Sequence, residues 1–398
     1  MRIAHFVEQG AVVGGVERYL ADLLAADAGG LEHAVVLGTG NRCAFAGSWP
    51  VSTLSWSAEG RERPPAETEL ARALAALDAV CLMHYPPSRR TLDAARRAAV
   101  PVAMFCHDHR WWCPSGSRYH RRLGRICTIR PSTLACAVRY HALGCGGRRL
   151  GPMARGLARA AAGREALRSA GAVLTASRFM ATEAALHGAA PSRTHVAPLP
   201  SAYAARPPAP PPSLSPPTVL FASRLTPEKG VWTLLEAFGL MRTPAGLELA
   251  GAGIAAPAVA RATAAHRCAD RIRLLGHLEG AAMREAYARA AVVAVPSLWP
   301  EPFGLVGVEA LASGRPVVTT GVGGITDWAQ AELGVAVVAP GSAAALAAAL
   351  DRVLAEPVWA ARARDAGAGW VQEHHSAAAH AARLREVLAP LTASRSAA

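Results

Sequence analysis

Apolar, strand-like runs alternate with Ala-rich amphipathic stretches along the chain, and this alternation constrains the fold more than any other feature. In the first half the apolar runs include RIAHFVE, HAVVLG, DAVCLMHYP, PVAMFCHDH and AVLTAS, with helical segments such as GGVERYLADLLAAD between them. Strands that are apolar on both faces and separated by helices are typical of a parallel sheet covered on both sides. The first half therefore predicts a doubly wound α/β domain.

A proline-rich segment interrupts the alternation near the middle of the chain. The sequence PLPSAYAARPPAPPPSLSPP, from Pro198 to Pro217, contains nine prolines. Proline fits neither a sheet interior nor the middle of a helix, so an extended connector is favoured. We expect a first domain over residues 1–200 and a linker over 201–217.

The alternation then restarts with TVLFASRL, LELAGAG, IRLLGHL, AVVAVPS and PVVTTGVGG. This pattern predicts a second doubly wound domain over residues 218–375. The remaining residues, 376–398, have a helical composition with apolar spacing through Leu384, Val387 and Leu388. We expect them to form a helix that packs back across the domain junction.

Charge and hydropathy limit the partners and the location of the chain. The formal net charge is +13, which favours anionic ligands, although an Ala and Arg excess suggests that part of it is a coding bias. Helix-turn-helix, zinc-finger and aromatic-basic RNA-binding signatures are lacking, so nucleic acid is not an expected partner. The N-terminus does not read as a signal peptide, and no long uninterrupted apolar run occurs. We expect a cytoplasmic protein whose membrane contact is peripheral, at the inner face.

Lysine occurs once among the 42 basic residues, at Lys229 in VLFASRLTPEKGVWTLLEAF. A compact ammonium binds phosphate in a way that a guanidinium fork does not reproduce, so its place at a strand-to-helix turn suggests a phosphate site. The alternative is that a lysine was retained by chance on a solvated turn.

A second candidate site lies in SLWPEPFGLVGVEALASG, where Glu301 and Glu309 are separated by seven residues. Four residues open a helix between them: Phe303, Gly304, Leu305 and Val306. Free amides in a first helical turn attract an anion such as a diphosphate. Glu301 could reach a sugar hydroxyl and Glu309 a ribose diol, because carboxylates only accept hydrogen bonds. Alternatively, both are ordinary surface acids near a helix start.

EPFGLVGVE resembles the E-x7-E element of the retaining glycosyltransferases of family four, and SRLTPEKG, LELAGAG, GRPVVTT and GVGG extend the resemblance over most of the second domain. The resemblance implies the GT-B fold, in which two Rossmann-like doubly wound domains face a central cleft. It also implies a retaining, metal-independent hexosyltransferase that moves a sugar from a nucleotide-diphosphate sugar to a hydroxyl acceptor. No other cofactor is expected.

The resemblance also assigns candidate residues. Arg224 and Lys229 would bind and neutralise the donor diphosphate, and with Glu301 and His107 they form the expected catalytic set. His107, in AMFCHDH, matches a histidine that the family places near the transferred sugar. Gly14 and Gly15 match a glycine-rich first turn that approaches the donor and the acceptor.

Three features leave alternatives open or depart from the family pattern. Ser177 matches a family serine, but it would serve equally well as a helix N-cap. Asp327 stands where relatives often carry Glu, and SRL replaces the commoner GRL. Neither departure removes a phosphate ligand.

The segment from about residue 106 to 150 is an insertion rich in cysteine. Cys113, Cys127, Cys136 and Cys145 contain no close Cys-x2-Cys pair, which makes a poor zinc template, although a metal, a disulfide or reduced packed thiols all remain open. Trp111, Trp112 and Arg118 combine aromatic faces with a guanidinium, which suits a sugar-bearing or anionic acceptor. A lid held by two buried tryptophans fits the same residues.

The expected acceptor is a polysaccharide, a glycolipid or a secondary metabolite, held mainly by the first domain, with the donor held mainly by the second. The alternative outside the enzymes is a catalytically degenerate nucleotide-sugar-binding scaffold or regulator. The intact set Arg224, Lys229, Glu301 and Glu309 favours the enzyme.

Overall fold

The computed structural model describes residues 1–9, 15–25, 31–39, 51–53, 67–76, 79–128, 132–147, 149–212 and 215–396. The chain divides into two compact units. Unit 1 comprises Met1–Leu123, Cys127–Pro200 and Ala377–Ala398, and unit 2 comprises Gly124–Ile126 and Ser201–Ser376. Gly14 lies outside the described residues.

The strands follow the apolar runs of the sequence. In chain order they are β1 (Arg2–Gln9), β2 (Glu32–Thr39), β3 (Val51–Thr53), β4 (Val80–Met83), β5 (Val102–Cys106), β6 (Tyr119–His120), β7 (Arg125–Ile126), β8 (Ala172–Thr175), β9 (Thr194–Val196), β10 (Thr218–Ala222), β11 (Gly246–Ala250), β12 (Ile272–Gly276), β13 (Val292–Val295), β14 (Val317–Thr320) and β15 (Val335–Val338).

The helices fill the stretches between the strands. In chain order they are α1 (Gly15–Ala25), α2 (Glu67–Ala76), α3 (Arg89–Arg97), α4 (Thr133–Ala142), α5 (Leu150–Ser169), α6 (Arg178–Leu186), α7 (Val231–Leu240), α8 (Ala256–Ala264), α9 (Gly280–Arg289), α10 (Leu305–Ala312), α11 (Ala343–Ala355), α12 (Pro357–Arg362), α13 (Ala368–His374) and α14 (Ala377–Ser396).

Unit 1 is built on a parallel sheet whose strand order, within the described residues, is β3-β2-β1-β4-β5-β8-β9. Strands β4 and β8 are buried along their whole length, as the uninterrupted apolar runs predict. The last helix, α14, belongs to this unit. Its Leu384, Val387 and Leu388 are buried in one cluster with Tyr19 and Leu20 of α1.

Unit 2 has a parallel sheet in the order β12-β11-β10-β13-β14-β15. Its central strands β10, β13 and β14 are fully buried. The order reverses direction at β10 and β13, and ligands of doubly wound sheets bind beyond the strand ends at such a switch point. The predicted fold class, two doubly wound parallel-sheet domains, is confirmed.

Candidate functional site

The turn that follows β10 presents Arg224 and Lys229. Backbone bonds from Ser223 N to Ala250 O (3.0 Å) and from Leu225 N to Ala252 O (2.8 Å) tie this turn to the end of β11. Arg224 between them is exposed. Lys229 ends a short 3-10 turn over Pro227–Lys229. The SRLTPEK motif thus holds its two basic residues on a rigid loop at the carboxyl end of a central strand.

Gly230 allows this turn to approach the loop after β13. Its φ is +77°, and a Cβ there would lie 1.8 Å from the carbonyl oxygen of Pro296. Only glycine fits both the left-handed backbone and the close contact. Leu298 N also donates to Glu228 O at 2.8 Å, so the two loops are fixed to each other.

Lys229 and Glu301 form an ion pair at this junction. Lys229 Nζ lies 2.6 Å from Glu301 Oε1, and the ammonium sits 4.9 Å from the ring centroid of Trp299. Ser297 Oγ donates to the same carboxylate oxygen at 2.5 Å. The backbone of Glu301 is held as well, because its carbonyl accepts from Gly324 N at 2.7 Å. Both side chains are therefore positioned before any ligand arrives.

The carboxyl group of Glu301 is an anion in this setting. Burial raises its pKa, but the Lys229 ammonium and hydrogen bonds from Lys229, Ser297 and Trp299 outweigh burial, so the pKa lies below its ordinary value. Glu301 is 5% exposed, and it can accept a further hydrogen bond from a hydroxyl while balancing the charge of the lysine.

Helix α10 begins immediately after this loop. Its N-cap is Gly304 with φ +84°, which has no side chain to cap the first turn. The amides of Leu305 and Val306 open the helix at the carboxyl edge of the sheet. An uncapped helix start carries partial positive charge and favours an anion.

Trp328 packs against the start of α10 and holds it in position. Its indole is fully buried and Nε1 donates to Phe303 O at 2.7 Å. A Cβ at Gly307 would lie 2.0 Å from Cη2 of this ring, so the helix and the indole are in close contact. Phe303 itself is buried, and its backbone carbonyl is the acceptor for this indole. Asp327, next to Trp328, is half-buried.

Glu309 lies in the second turn of α10 and is half-buried. The hydroxyl of Tyr287, a fully buried residue of α9, donates to Glu309 Oε2 at 2.9 Å. Burial raises the pKa of this tyrosine well above its ordinary value, and Glu309 adds to the shift. Tyr287 was not among the residues predicted from the sequence. Its hydrogen bond orients the carboxylate.

In unit 1, His107 follows β5 and is buried. Its Nε2 lies 2.9 Å from Nδ1 of His84, and burial lowers the pKa of His107 to about 3, with smaller contributions from His380, Arg110 and His5. The imidazole is therefore neutral. The sequence predicted His107 as a sugar contact but gave no sign of the histidines behind it.

Trp111, Trp112 and Arg118 are all buried, and Trp111 and Trp112 belong to the first core. Arg118 Nε lies 2.9 Å from Glu183 Oε2 in an ion pair shielded from solvent. Ring faces at 1% and 0% exposure are closed to a stacked acceptor, so the structure favours the second interpretation, a segment held by two buried tryptophans.

The cysteines of the insertion line one small pocket. Cys113, Cys127, Cys136 and Cys145 share it with His120, whose Nδ1 lies 3.0 Å from Cys145 Sγ. All four thiols are free, and burial raises the pKa of Cys145 to about 11. Within the described ranges, no group of three or more His, Cys, Asp or Glu side chains has the arrangement of a metal site.

Two further residues have local roles. Ser177 accepts a hydrogen bond from Met180 N at 3.2 Å and so caps α6, as the structural alternative for this residue predicts. Gly15 is exposed at the first position of α1.

Comparison with known proteins finds a family match in unit 2. Residues 216–356 match the family model described as glycosyl transferases group 1. Unit 2 is therefore similar to the group 1 glycosyl transferases over these residues. All the paired residues described above, from Lys229 to Glu309, lie within the matched range.

Curated relatives match part of the chain. An uncharacterized glycosyltransferase of Methanocaldococcus jannaschii is 34% identical over 140 residues, which is 35% of this chain and 36% of the relative. The glycogen synthase of Mycobacterium tuberculosis is 37% identical over 155 residues, 38% of this chain and 37% of the enzyme. The chain thus spans little more than a third of the length of these relatives.

A match to a solved structure extends beyond residues 216–356 and covers both units. A crystal structure of HepE from Anabaena, in complex with UDP and glucose, covers 98% of this chain and 99% of its own with a TM-score of 0.71 at 18% identity. The likeness covers both units, each of which has the doubly wound α/β fold expected of a GT-B protein. In the described part of the chain, no helix combines the length and the apolar character needed to cross a membrane.

Proposed function

We propose that this chain is a retaining, metal-independent glycosyltransferase that moves a sugar from a nucleotide-diphosphate sugar to a hydroxyl acceptor. The observation that carries the proposal is the placement of Lys229 and Glu301 beside the uncapped start of α10, at the carboxyl ends of the adjacent strands β10 and β13. Cationic side chains and free amides together suit a diphosphate.

The donor diphosphate would bind between Arg224, Lys229 and the first turn of α10. Its negative charge grows as the bond to the sugar breaks, and two fixed cations stabilise that developing charge without a metal ion. The acceptor hydroxyl would pass its proton toward the departing phosphate oxygen. Glu301, already paired with Lys229 at 2.6 Å, is suited to hold a sugar hydroxyl rather than to attack the sugar.

The nucleoside would be held by Glu309. Tyr287 keeps the glutamate in one orientation, and the carboxylate would accept from a ribose hydroxyl. UDP is the first nucleotide to test, because the similar HepE structure contains UDP and glucose.

The acceptor side belongs to unit 1, where His107 is the candidate contact for the transferred sugar by the family resemblance. Its low pKa supports this role, since a neutral imidazole can accept or donate a hydrogen bond to a hydroxyl. Peripheral attachment to an anionic membrane and an anionic acceptor both accord with the net charge of +13.

The test has two stages. Calorimetric titration with UDP, GDP, ADP and dTDP should reveal one preferred nucleotide, and chelation of metals with EDTA should leave its affinity unchanged. The matching nucleotide sugar should then be consumed, slowly by water alone and faster with acceptor extracts, to give a product of retained anomeric configuration by NMR.

Absence of nucleotide binding by the folded protein would overturn the proposal. Binding without any consumption of the sugar nucleotide would favour the degenerate scaffold instead.

A further inference from the structure

Four neighbouring strands of unit 1 each place one histidine on a common line. His33 is near the start of β2, His5 is in the middle of β1, and His84 and His107 directly follow β4 and β5. These strands are adjacent in the sheet, in the order β2-β1-β4-β5. The line therefore crosses the sheet diagonally, from the amino end of β2 to the carboxyl end of β5.

The four rings are joined by hydrogen bonds. His33 Nδ1 lies 2.9 Å from His5 Nε2, His5 Nδ1 lies 3.0 Å from His84 Nε2, and His84 Nδ1 lies 2.9 Å from His107 Nε2. Each contact therefore joins the Nδ1 of one ring to the Nε2 of the next, in one direction throughout. All four side chains are buried, with exposures between 0% and 8%.

This arrangement links the tautomers of the four rings. A neutral imidazole carries hydrogen on one nitrogen and accepts at the other. If one ring carries hydrogen on Nδ1, every ring must do so; otherwise at least one contact would hold two hydrogens or none. The neutral chain therefore has two fully bonded states, all Nδ1–H or all Nε2–H.

The surroundings keep His5, His84 and His107 neutral. Burial lowers the pKa of His5 and His84 well below the ordinary value, with neighbouring histidines adding to it. The groups that face the chain from other elements are Tyr19 of α1, His380 of α14 and Arg110 after β5. His380 is bound to Tyr19 Oη at 2.8 Å and to Pro198 O at 2.7 Å, so it stands outside the chain.

We propose that His33, His5 and His84 are positioning residues that act through His107 and form with it a single proton relay. Uptake of one proton from water at His107 Nδ1 would shift one hydrogen across each of the three contacts and release one proton from His33 Nε2 to water, leaving the net charge of the four rings unchanged. The hydrogen-bonding character that His107 offers to a hydroxyl is then set by all four rings. This consequence for the reaction rests on the proposed function, in which His107 meets the transferred sugar.

The test does not depend on activity. The full-length protein is labelled with 15N-histidine, and the ring nitrogens are assigned by single substitutions. At pH 7 we expect four neutral rings with the same tautomer, or the same averaged ratio, and scalar couplings across the three N–H···N bonds. Mixed tautomers, a charged ring, or missing couplings in the folded protein would overturn the relay.

Interrupting the row of four histidines by a substitution gives the second measurement. In His5→Phe, His84 and His107 should remain coupled to each other while His33 loses its correlation with them and the ratio at His107 shifts. His380→Gln is the matched control, because it removes a buried histidine that faces the same rings. It should leave the same tautomer ratio at all four rings.

Equal disturbance by His5→Phe and His380→Gln would indicate a packing role alone and contradict the proposal. Nucleotide binding by unit 2 is measured separately, so failure of the relay and failure of the glycosyltransferase assignment are distinguishable.

Discussion

Lys229 Nζ lies 2.6 Å from Glu301 Oε1, which joins the loop after β10 to the loop after β13 across 72 residues of sequence. The pair is nearly dry, with side-chain exposures of 14% and 6%. A phosphate that approaches Lys229 meets an ammonium whose charge is already balanced. Long-range attraction of the donor therefore falls to Arg224 and the helix start, while Lys229 supplies a fixed contact.

Replacing Lys229 by Met should destabilise the protein by about 3–5 kcal/mol, because Glu301 would stay buried without its cation. The pH dependence should also change sign. In the native protein the lowered pKa of Glu301 contributes stability that is lost as the pH falls through that value. In the variant, burial is no longer outweighed, the pKa rises, and stability is lost as the pH rises. Denaturant unfolding at several pH values measures both effects.

The control for this prediction is the double variant Lys229→Met with Glu301→Gln. Removing the unpaired charge should recover most of the lost stability without restoring nucleotide binding. A double variant as unstable as the single one would show that the pair does not act through its charges.

Replacing Arg224 by Ala should weaken binding of the preferred nucleoside diphosphate by about tenfold to a hundredfold, the value of a charge-assisted hydrogen bond of roughly 1.5–3 kcal/mol. Since Arg224 is exposed, stability should barely change. Arg261→Ala, which removes an exposed arginine from α8 of the same unit, is the matched control and should keep native affinity in the same titration. If both variants lost the same affinity, the effect would come from the net charge of the unit and not from a contact of Arg224.

Replacing Glu309 by Gln should weaken nucleotide binding by about tenfold while the fold persists, because the new amide oxygen can still accept from Tyr287. The loss should depend on the ribose diol. UDP should therefore bind the variant more weakly than the native protein, whereas its 2′,3′-dideoxy analogue should bind both equally. If the variant loses as much affinity for the dideoxy analogue as for UDP, Glu309 does not hold the ribose.

The stability of unit 1 should fall as the pH drops below about 6.5. The pKa values of His5, His84 and His107 are lowered in the folded protein, that of His107 to about 3. Between these values and the ordinary pKa the unfolded chain binds more protons than the folded one, so stability is complete above about pH 6.5 and declines below it. Each histidine contributes up to about 1.4 kcal/mol per pH unit.

Amide hydrogen exchange in β1 and β4 measures the stability of this unit within the full chain. It is followed between pH 5 and 7.5 and corrected for intrinsic exchange rates. His141→Ala, at a half-buried position of α4 away from the histidine line, should leave the slope intact. A flat profile in the native protein would contradict the lowered pKa values.

The sequence predicts the doubly wound fold and the segments that carry the donor site, because strand burial, helix starts and glycine turns leave local patterns. It does not predict that Lys229 and Glu301 are each other's partners, since a 72-residue separation leaves no local signal. The role of Tyr287 is not predictable for the same reason. Its place in α9 is typical of a core position, and its partner lies on another helix.

The histidine line shows a different limit. His5 lies inside an apolar run and His33 at the edge of another, so periodicity treats both as exceptions within buried strands. Only the strand order β2-β1-β4-β5 brings the four rings into one row. Trp111 and Trp112 posed the opposite difficulty, because an acceptor platform and a core anchor use the same residue type; burial favours the anchor.

Helix α14 completes the core of unit 1 although it follows unit 2 in the chain. During synthesis the first unit must therefore wait, with the surface around Tyr19 and Leu20 uncovered, until all of the second has left the ribosome. The order of translation and the order of completion are thus reversed in this protein.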